Sequence, residues 1–241
     1  MMELKILNKE NEVLFYEKGE QIDAIYEGEY QKGDKIVIHK KDSEFLTVKL
    51  DETLKESIVF MPSSTFEFEI PFDGLKAGYD ENSFKGNAHH IKVSEPDDDI
   101  KYETRNIALN SHDRRKQKNY FPHAYANLVT REDPCFFERN AIDGVKSNDG
   151  HGWYPYHSWA GGAREDLEYY IDFGQKVEVD KLVFYLRADF PHDTYWKSVD
   201  VEFDDKTRET ANFLKTADGQ ELVLSETKLT RKIHLKETPI I

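Results

Sequence analysis

Phe66-Glu-Phe-Glu-Ile70 places three apolar side chains on one face of an extended chain and two carboxylates on the other. That period of two belongs to a strand with one buried face and cannot be carried by a helix. Similar short runs recur at Glu3–Leu7, Val13–Tyr16, Ala24–Tyr26, Lys35–His39, Phe45–Leu50, Ser57–Phe60 and His90–Val93. Gly28, Gly33, Pro62, Pro71 and Asp73-Gly74 punctuate them, and no segment of residues 1–100 sustains a helical period. Strands at spacings of roughly 8 to 12 residues are the signature of a sandwich or barrel. The second part continues with Glu168–Phe173, Lys181–Leu186, Ser198–Phe203, Thr207–Phe213, Gln220–Leu224 and Arg231–Leu235. Asp172-Phe-Gly174, Asp204-Asp205 and Asp218-Gly219 read as its turns. The expected class is all-β.

Residue usage divides the chain. Arginine is absent from residues 1–100 and occurs nine times from Arg105 to Arg231, and Trp153, Trp159, Trp196 and Cys135 also fall in the later part. Pro96 and the run Asp97, Asp98, Asp99 read as a solvated connector. The expectation is two β-sandwich domains, residues 1–98 and 99–241. A formal charge of −14 repels phosphate backbones and anionic headgroups, which argues against nucleic-acid partners and membrane binding. No window approaches the roughly 18 apolar residues of a membrane span. A single cysteine excludes an intrachain disulfide and a cysteine-rich zinc cage. The start, MMELKILNKENEVLF, lacks the pattern of a signal peptide, which reads as cytoplasmic.

Two loop-like segments are rich in large side chains, where loops ordinarily carry small polar ones. In Leu186-Arg-Ala-Asp-Phe-Pro-His-Asp-Thr-Tyr-Trp196 an apolar strand gives way to Arg187, Asp189, His192, Asp193 and Trp196. In His151-Gly-Trp-Tyr-Pro-Tyr-His-Ser158, Trp153, Tyr156 and His157 resemble an aromatic platform. Planar donors and acceptors match the vicinal hydroxyls of a sugar, and an aromatic face covers the C–H side of its ring. Competing readings stand beside these: Arg187 and Asp189 as a plain ion pair locking the loop, and Trp196 as a core residue. His123 reads as a hydrogen-bonded structural histidine. His89 and His90 fall on opposite faces of a strand and do not readily share a metal.

The order of short motifs is informative as a set. Asn106-Ile-Ala-Leu-Asn110 is followed by Arg139-Asn-Ala-Ile-Asp-Gly144, Ser158-Trp159, Glu168-Tyr-Tyr-Ile-Asp-Phe-Gly174 and Val179-Asp-Lys-Leu-Val-Phe-Tyr-Leu-Arg187. Residues ~101–235 thereby resemble the discoidin, or coagulation-factor type C, superfamily of galactose-binding-like β-sandwiches, which includes many carbohydrate-binding modules. The resemblance does not extend to residues 1–100. It implies a jelly-roll module with ligand loops at one end, and a structural calcium in the loop of Asp143, with Asn148 and Asp149 as nearby oxygen donors. A simple Asx turn at Asp143-Gly144 is the other reading. Trp159 is expected to plug the end of the core.

A metal-hydrolase reading of His151, His157, His192 and Asp193 lacks a standard ligand spacing, and no His-Glu-x-x-His helix, P-loop, dinucleotide fingerprint or serine elbow occurs. The basic island Asp113-Arg-Arg-Lys-Gln-Lys118 reads as a solvated loop or a dock for an acidic surface. The reading is therefore a non-catalytic carbohydrate-binding protein. Arg187, Asp189 and His192 would meet hydroxyls, and Trp153, Tyr156 or Trp196 would stack on the ring. Two alternatives remain: an intracellular carbohydrate-active hydrolase or lyase with its site between the domains, and a protein–protein interaction scaffold. A flat, sugar-indifferent surface with a defined oligomer in solution would favour the scaffold.

Overall fold

A computed structural model describes residues 1–41, 45–117, 119–162, 164, 166–190 and 195–237. The strands described are β1 (Met2–Leu7), β2 (Val13–Gly19), β3 (Ile22–Tyr26), β4 (Lys35–Lys40), β5 (Phe45–Lys49), β6 (Ser57–Phe60), β7 (Thr65–Glu69) and β8 (His89–Ser94) in the first part. β9 (His123–Ala126), β10 (Glu168–Phe184), β11 (Ser198–Glu202), β12 (Arg208–Asn212) and β13 (Gln220–Glu237) follow. They form three sheets, ordered β2-β1-β4-β7, β3-β8-β5-β6 and β12-β11-β13-β10-β9, and every strand pairing is antiparallel. The protein is all-β, as the alternating runs require.

The first two sheets make a sandwich by the alternation alone. Met2, Leu4 and Ile6 of β1, Ile36 and Ile38 of β4, and Phe66 and Phe68 of β7 are buried on one inner face. Ile22 of β3, Leu46 and Val48 of β5, Val59 of β6 and Ile91 and Val93 of β8 meet them from the other sheet in one continuous core. Each such side chain contributes about 1.5–3 kcal/mol relative to leaving it in water, so a one-residue slip of register would turn the whole set outward.

The third sheet departs from the expected strand list. The Asp172-Phe-Gly174 motif is a bulge inside one 17-residue strand, β10, and the runs read as Gln220–Leu224 and Arg231–Leu235 are parts of β13. The two pair from Glu168↔Lys236 to Phe184↔Gln220, with register shifts between Asp172 and Val177 and between Val179 and Lys181. Bulges bend and twist a ribbon. Here residues of both halves share one core: Phe173, Val199, Val201 and Leu235 with Val179 and Leu224.

Beyond Pro96 the chain forms a short exposed helix, Asp98–Tyr102, and then returns to the first sandwich. Tyr120 is fully buried in that first core, stacked on Phe66 at 4.1 Å. Phe121 and Phe60 exchange backbone hydrogen bonds of 2.8 Å in both directions. From the basic island, the Arg114 guanidinium reaches Glu69 at 3.6 Å and lies over the Phe68 ring, so this segment touches the first sandwich.

Candidate functional site

The ladder pair Phe184↔Gln220 at one end of the β10–β13 ribbon places two loops side by side, residues 185–190 leaving β10 and residues 214–219 entering β13. A third segment, 145–151, is tied to both by Asn148. Its side-chain Nδ2 donates to the Leu186 and Ala217 carbonyls, each at 2.8 Å, and its own carbonyl accepts from the Ala188 N–H at 2.7 Å. An amide with two donors and one backbone acceptor is well suited to joining three loops that have no ladder between them.

On this frame the Asp189 carboxylate is gripped from two segments. Arg187 donates through Nε to Oδ1 and through Nη2 to Oδ2 at 2.8 Å, and His151 Nδ1 meets Oδ2. The fork of Arg187, together with His151, holds the Asp189 carboxyl down at about 2, so it stays ionised at ordinary pH. The Tyr156 ring packs against Gly150, the sequence neighbour of His151. A Cβ at Gly150 would sit 2.8 Å from its ring, so only glycine permits the approach. Trp153 and Phe190 are 72% and 78% exposed, an unusual disposition for rings of that size. Tyr185 completes the aromatic set, with Lys146 Nζ donating to its hydroxyl at 3.0 Å.

Several expected site residues lie elsewhere. The Trp196 ring is half-buried, edge-on to Trp159 at 5.5 Å, and packs on the second core. Trp159 stands at that same core edge, 5.0 Å from Tyr169, with its indole N–H donated to the Leu128 carbonyl at 3.0 Å. His157 is buried, with Nε2 2.5 Å from Asp143 Oδ2 and its ring stacked on Tyr154. It is therefore not part of the exposed rim. His192 and Asp193 lie outside the described residues.

The loop implied to hold calcium offers three candidate side-chain oxygen donors, on Asp143, Asn148 and Asp149. Asp143 Oδ1 accepts from the Val145 N–H at 2.9 Å, while Oδ2 faces both His157 and, at 3.8 Å, the Arg139 guanidinium. The Asn148 side chain faces two carbonyls with its donor end, and Asp149 is exposed. A calcium ion takes six to eight oxygens, and a carboxylate already shared by a guanidinium and an imidazole does not fit that role. Among the described residues, no three His, Cys, Asp or Glu side chains converge as a metal site.

A second polar cluster sits where the sandwich meets the third sheet. Arg139 is buried and donates to the carbonyls of Asp113 (2.8 Å), Ser111 (3.0 Å) and Gly78 (3.1 Å), and it lies over the Tyr79 ring. His112 Nε2 accepts from the Leu50 N–H at 3.2 Å. Burial, and then the Arg139 charge, push its imidazole down to about 3. His123 Nδ1 is 2.5 Å from Asp113 in full burial, as a structural histidine should be. The Cys135 thiol is pushed up to about 12, first by burial and then by Asp133. The cleft beside this cluster, lined by Lys55, Tyr79, Asp80, Arg139, Asp143 and Tyr154, has a volume of about 50 Å³. That is room for a few water molecules. A larger hollow of about 290 Å³ lies near Phe72, Leu75 and Pro134.

No protein-family model matches the sequence, and no curated protein matches it. Among solved structures, the chain is similar to the lectin domain of Lectinolysin complexed with Lewis B antigen. The identity is 20% and the TM-score 0.41, over 57% of this chain and 92% of that one. It is similar to the family 32 carbohydrate-binding module of C. perfringens NanJ in complex with galactose at 13% identity and TM-score 0.36, over 48% and 81%. It is also similar to allantoicase at 14% identity and TM-score 0.35, over 86% and 74%. The architecture of this chain stands on its own sheets.

Proposed function

We propose that this protein binds carbohydrate without transforming it, at the rim formed by residues 146–156, 185–190 and 214–219. The observation that carries the reading is Asp189 held by Arg187 from its own loop and by His151 from another, with exposed aromatic rings on both segments. A fixed guanidinium presents N–H donors in a plane, which suits neighbouring sugar hydroxyls, and the Trp153 and Phe190 rings suit the C–H face. Because the polar pair is already assembled, little ordering accompanies binding. A single shallow site of this kind is expected to bind in the micromolar to millimolar range, about −8 to −4 kcal/mol.

A glycan array probed with the full-length chain tests the proposal. The array should include Lewis B and galactose-terminated glycans, the ligands present in two of the similar structures. Binding of a defined glycan set by the wild type, lost in Arg187→Ala and weakened in Trp153→Ala, is the expected result. Binding that is indifferent to both substitutions would remove this rim from the account. Release of chromophore from a panel of chromogenic glycosides would replace binding with catalysis.

A further inference from the structure

We infer that the rim takes at least two linked sugar rings, one stacked on Tyr156 and one on Tyr185; this rests on the carbohydrate reading of the same rim. Each tyrosine lies against a glycine. A Cβ on Gly150 would be 2.8 Å from Cγ of Tyr156 and 3.0 Å from each of its Cδ atoms. A Cβ on Gly219 would be 2.8 Å from Cζ of Tyr185 and 2.9 Å from its Cε1 and Oη. Distances so nearly equal put each glycine over the face of the ring and not at its edge. The two residues are nonetheless 39% and 41% exposed, so one face is backed by main chain and the other side is left to solvent. A ring fixed in this way loses little freedom when a ligand arrives, and the C–H side of a sugar stacks on an aromatic face.

A continuous series of contacts joins the two rings through the polar cluster. Tyr185 stands at most about 7 Å along the chain from Arg187, and Arg187 grips Asp189. Asp189 meets His151, whose neighbour in the chain is Gly150, the residue under Tyr156. Local bonds hold each ring in place. The Tyr156 N–H donates to the Trp153 carbonyl at 3.0 Å, closing the turn that returns its ring to Gly150. Tyr185 follows the ladder pair Phe184↔Gln220, with Gly219 on the other strand, and Lys146 Nζ donates to its hydroxyl at 3.0 Å. The sequence of contacts is therefore ring, charged cluster, ring. One pyranose presents its C–H face to one tyrosine, and a second, linked to it, meets the other.

Neither glycine adopts a positive φ, so alanine suits the backbone at both positions and acts by displacing the ring. Calorimetric titration of the full-length chain compares the methyl glycosides of galactose, fucose, glucose and mannose with disaccharides of the same sugars. The expected result is a disaccharide bound about ten-fold more tightly than its single ring, the gain of one further stack. Gly150→Ala and Gly219→Ala should each reduce that gain to within about two-fold. Tyr185→Ser, which removes the ring without a clash, should do the same. An aromatic ring across from a glycine also stabilises paired strands, so melting temperatures are recorded beside the affinities. Variants that melt earlier yet keep the gain assign these rings to packing and overturn the inference. Equal affinity for one ring and two also overturns it and leaves single-ring binding standing. Failure of every saccharide to bind removes the carbohydrate reading together with it.

Discussion

Arg139 carries a full charge at 4% exposure, and its neighbours explain how. Three backbone carbonyls from two segments (Gly78, and Ser111 with Asp113), the Asn140 side chain and Asp143 surround the guanidinium. Removing one partner of such a buried set leaves polar groups without partners, at a cost of about 3–5 kcal/mol. Arg139→Met should lower the urea-unfolding free energy by that amount. His112 supplies a second residue-scale prediction. Its folded-state value of about 3 lies below the ordinary 6.5, so the unfolded chain binds the proton more readily. Its contribution is complete above about pH 6.5 and is lost as pH falls toward about 3. A proton on Nε2 would also break the bond from the Leu50 N–H. Stability measured from pH 7 to pH 4 should therefore fall by several kcal/mol in the wild type, and by less in His112→Gln. At this scale the sequence was readable where partners are local. Arg187 and Asp189, two residues apart, could be singled out, whereas His151 as their third member could not, because 36 residues of chain separate it from Arg187. Asn148 was readable only as an oxygen donor beside an Asp-Gly turn, since nothing local shows that its nitrogen end would bind two distant carbonyls.

Among the elements, β10 shows why local pattern can mislead. Asp172-Phe-Gly174 has the composition of a turn, yet the strand continues through it because Val177 and Val179 pair onward with Thr230 and Lys228. Gly174 adopts φ +75°, and a Cβ there would lie 2.5 Å from the Phe121 ring and 2.8 Å from Phe60. Gly174→Ala combines a left-handed backbone with a clash against two rings, and it should destabilise by about 2–4 kcal/mol, measured by thermal or urea unfolding. The rings that cover this glycine come from other strands, so the sequence around it carries no sign of them. By contrast, the period-2 strands of the first sandwich were legible, because each inner face is written into a few consecutive residues. At the loops, Asn148→Ala should cost about 1–3 kcal/mol and weaken glycan binding more than it lowers the melting temperature. Equal binding by Asn148→Ala would show that the three loops are held without it.

At the scale of the whole molecule, charge and residue type divide the chain near Pro96, but the contacts cross that division. Phe60 pairs with Phe121, Leu50 with His112, Gly78 with Arg139, and the Tyr154 N–H with the Ala77 carbonyl at 2.9 Å. These bonds lie in buried or half-buried surroundings where each is costly to leave unmade. Calorimetry of the full chain should show one transition, with calorimetric and van't Hoff enthalpies in agreement; two resolved transitions would mean that the bridging contacts are too weak to couple the sheets. The proposed rim lies at the Phe184–Gln220 end of the β10–β13 ribbon, and its 146–156 segment touches the seam through Tyr154. Amide chemical-shift mapping with a glycan identified on the array tests that placement most directly. That placement requires shifts concentrated in residues 146–156, 185–190 and 214–219. Shifts centred instead on Lys55, Asp80 and Arg139 in the seam cleft would contradict it.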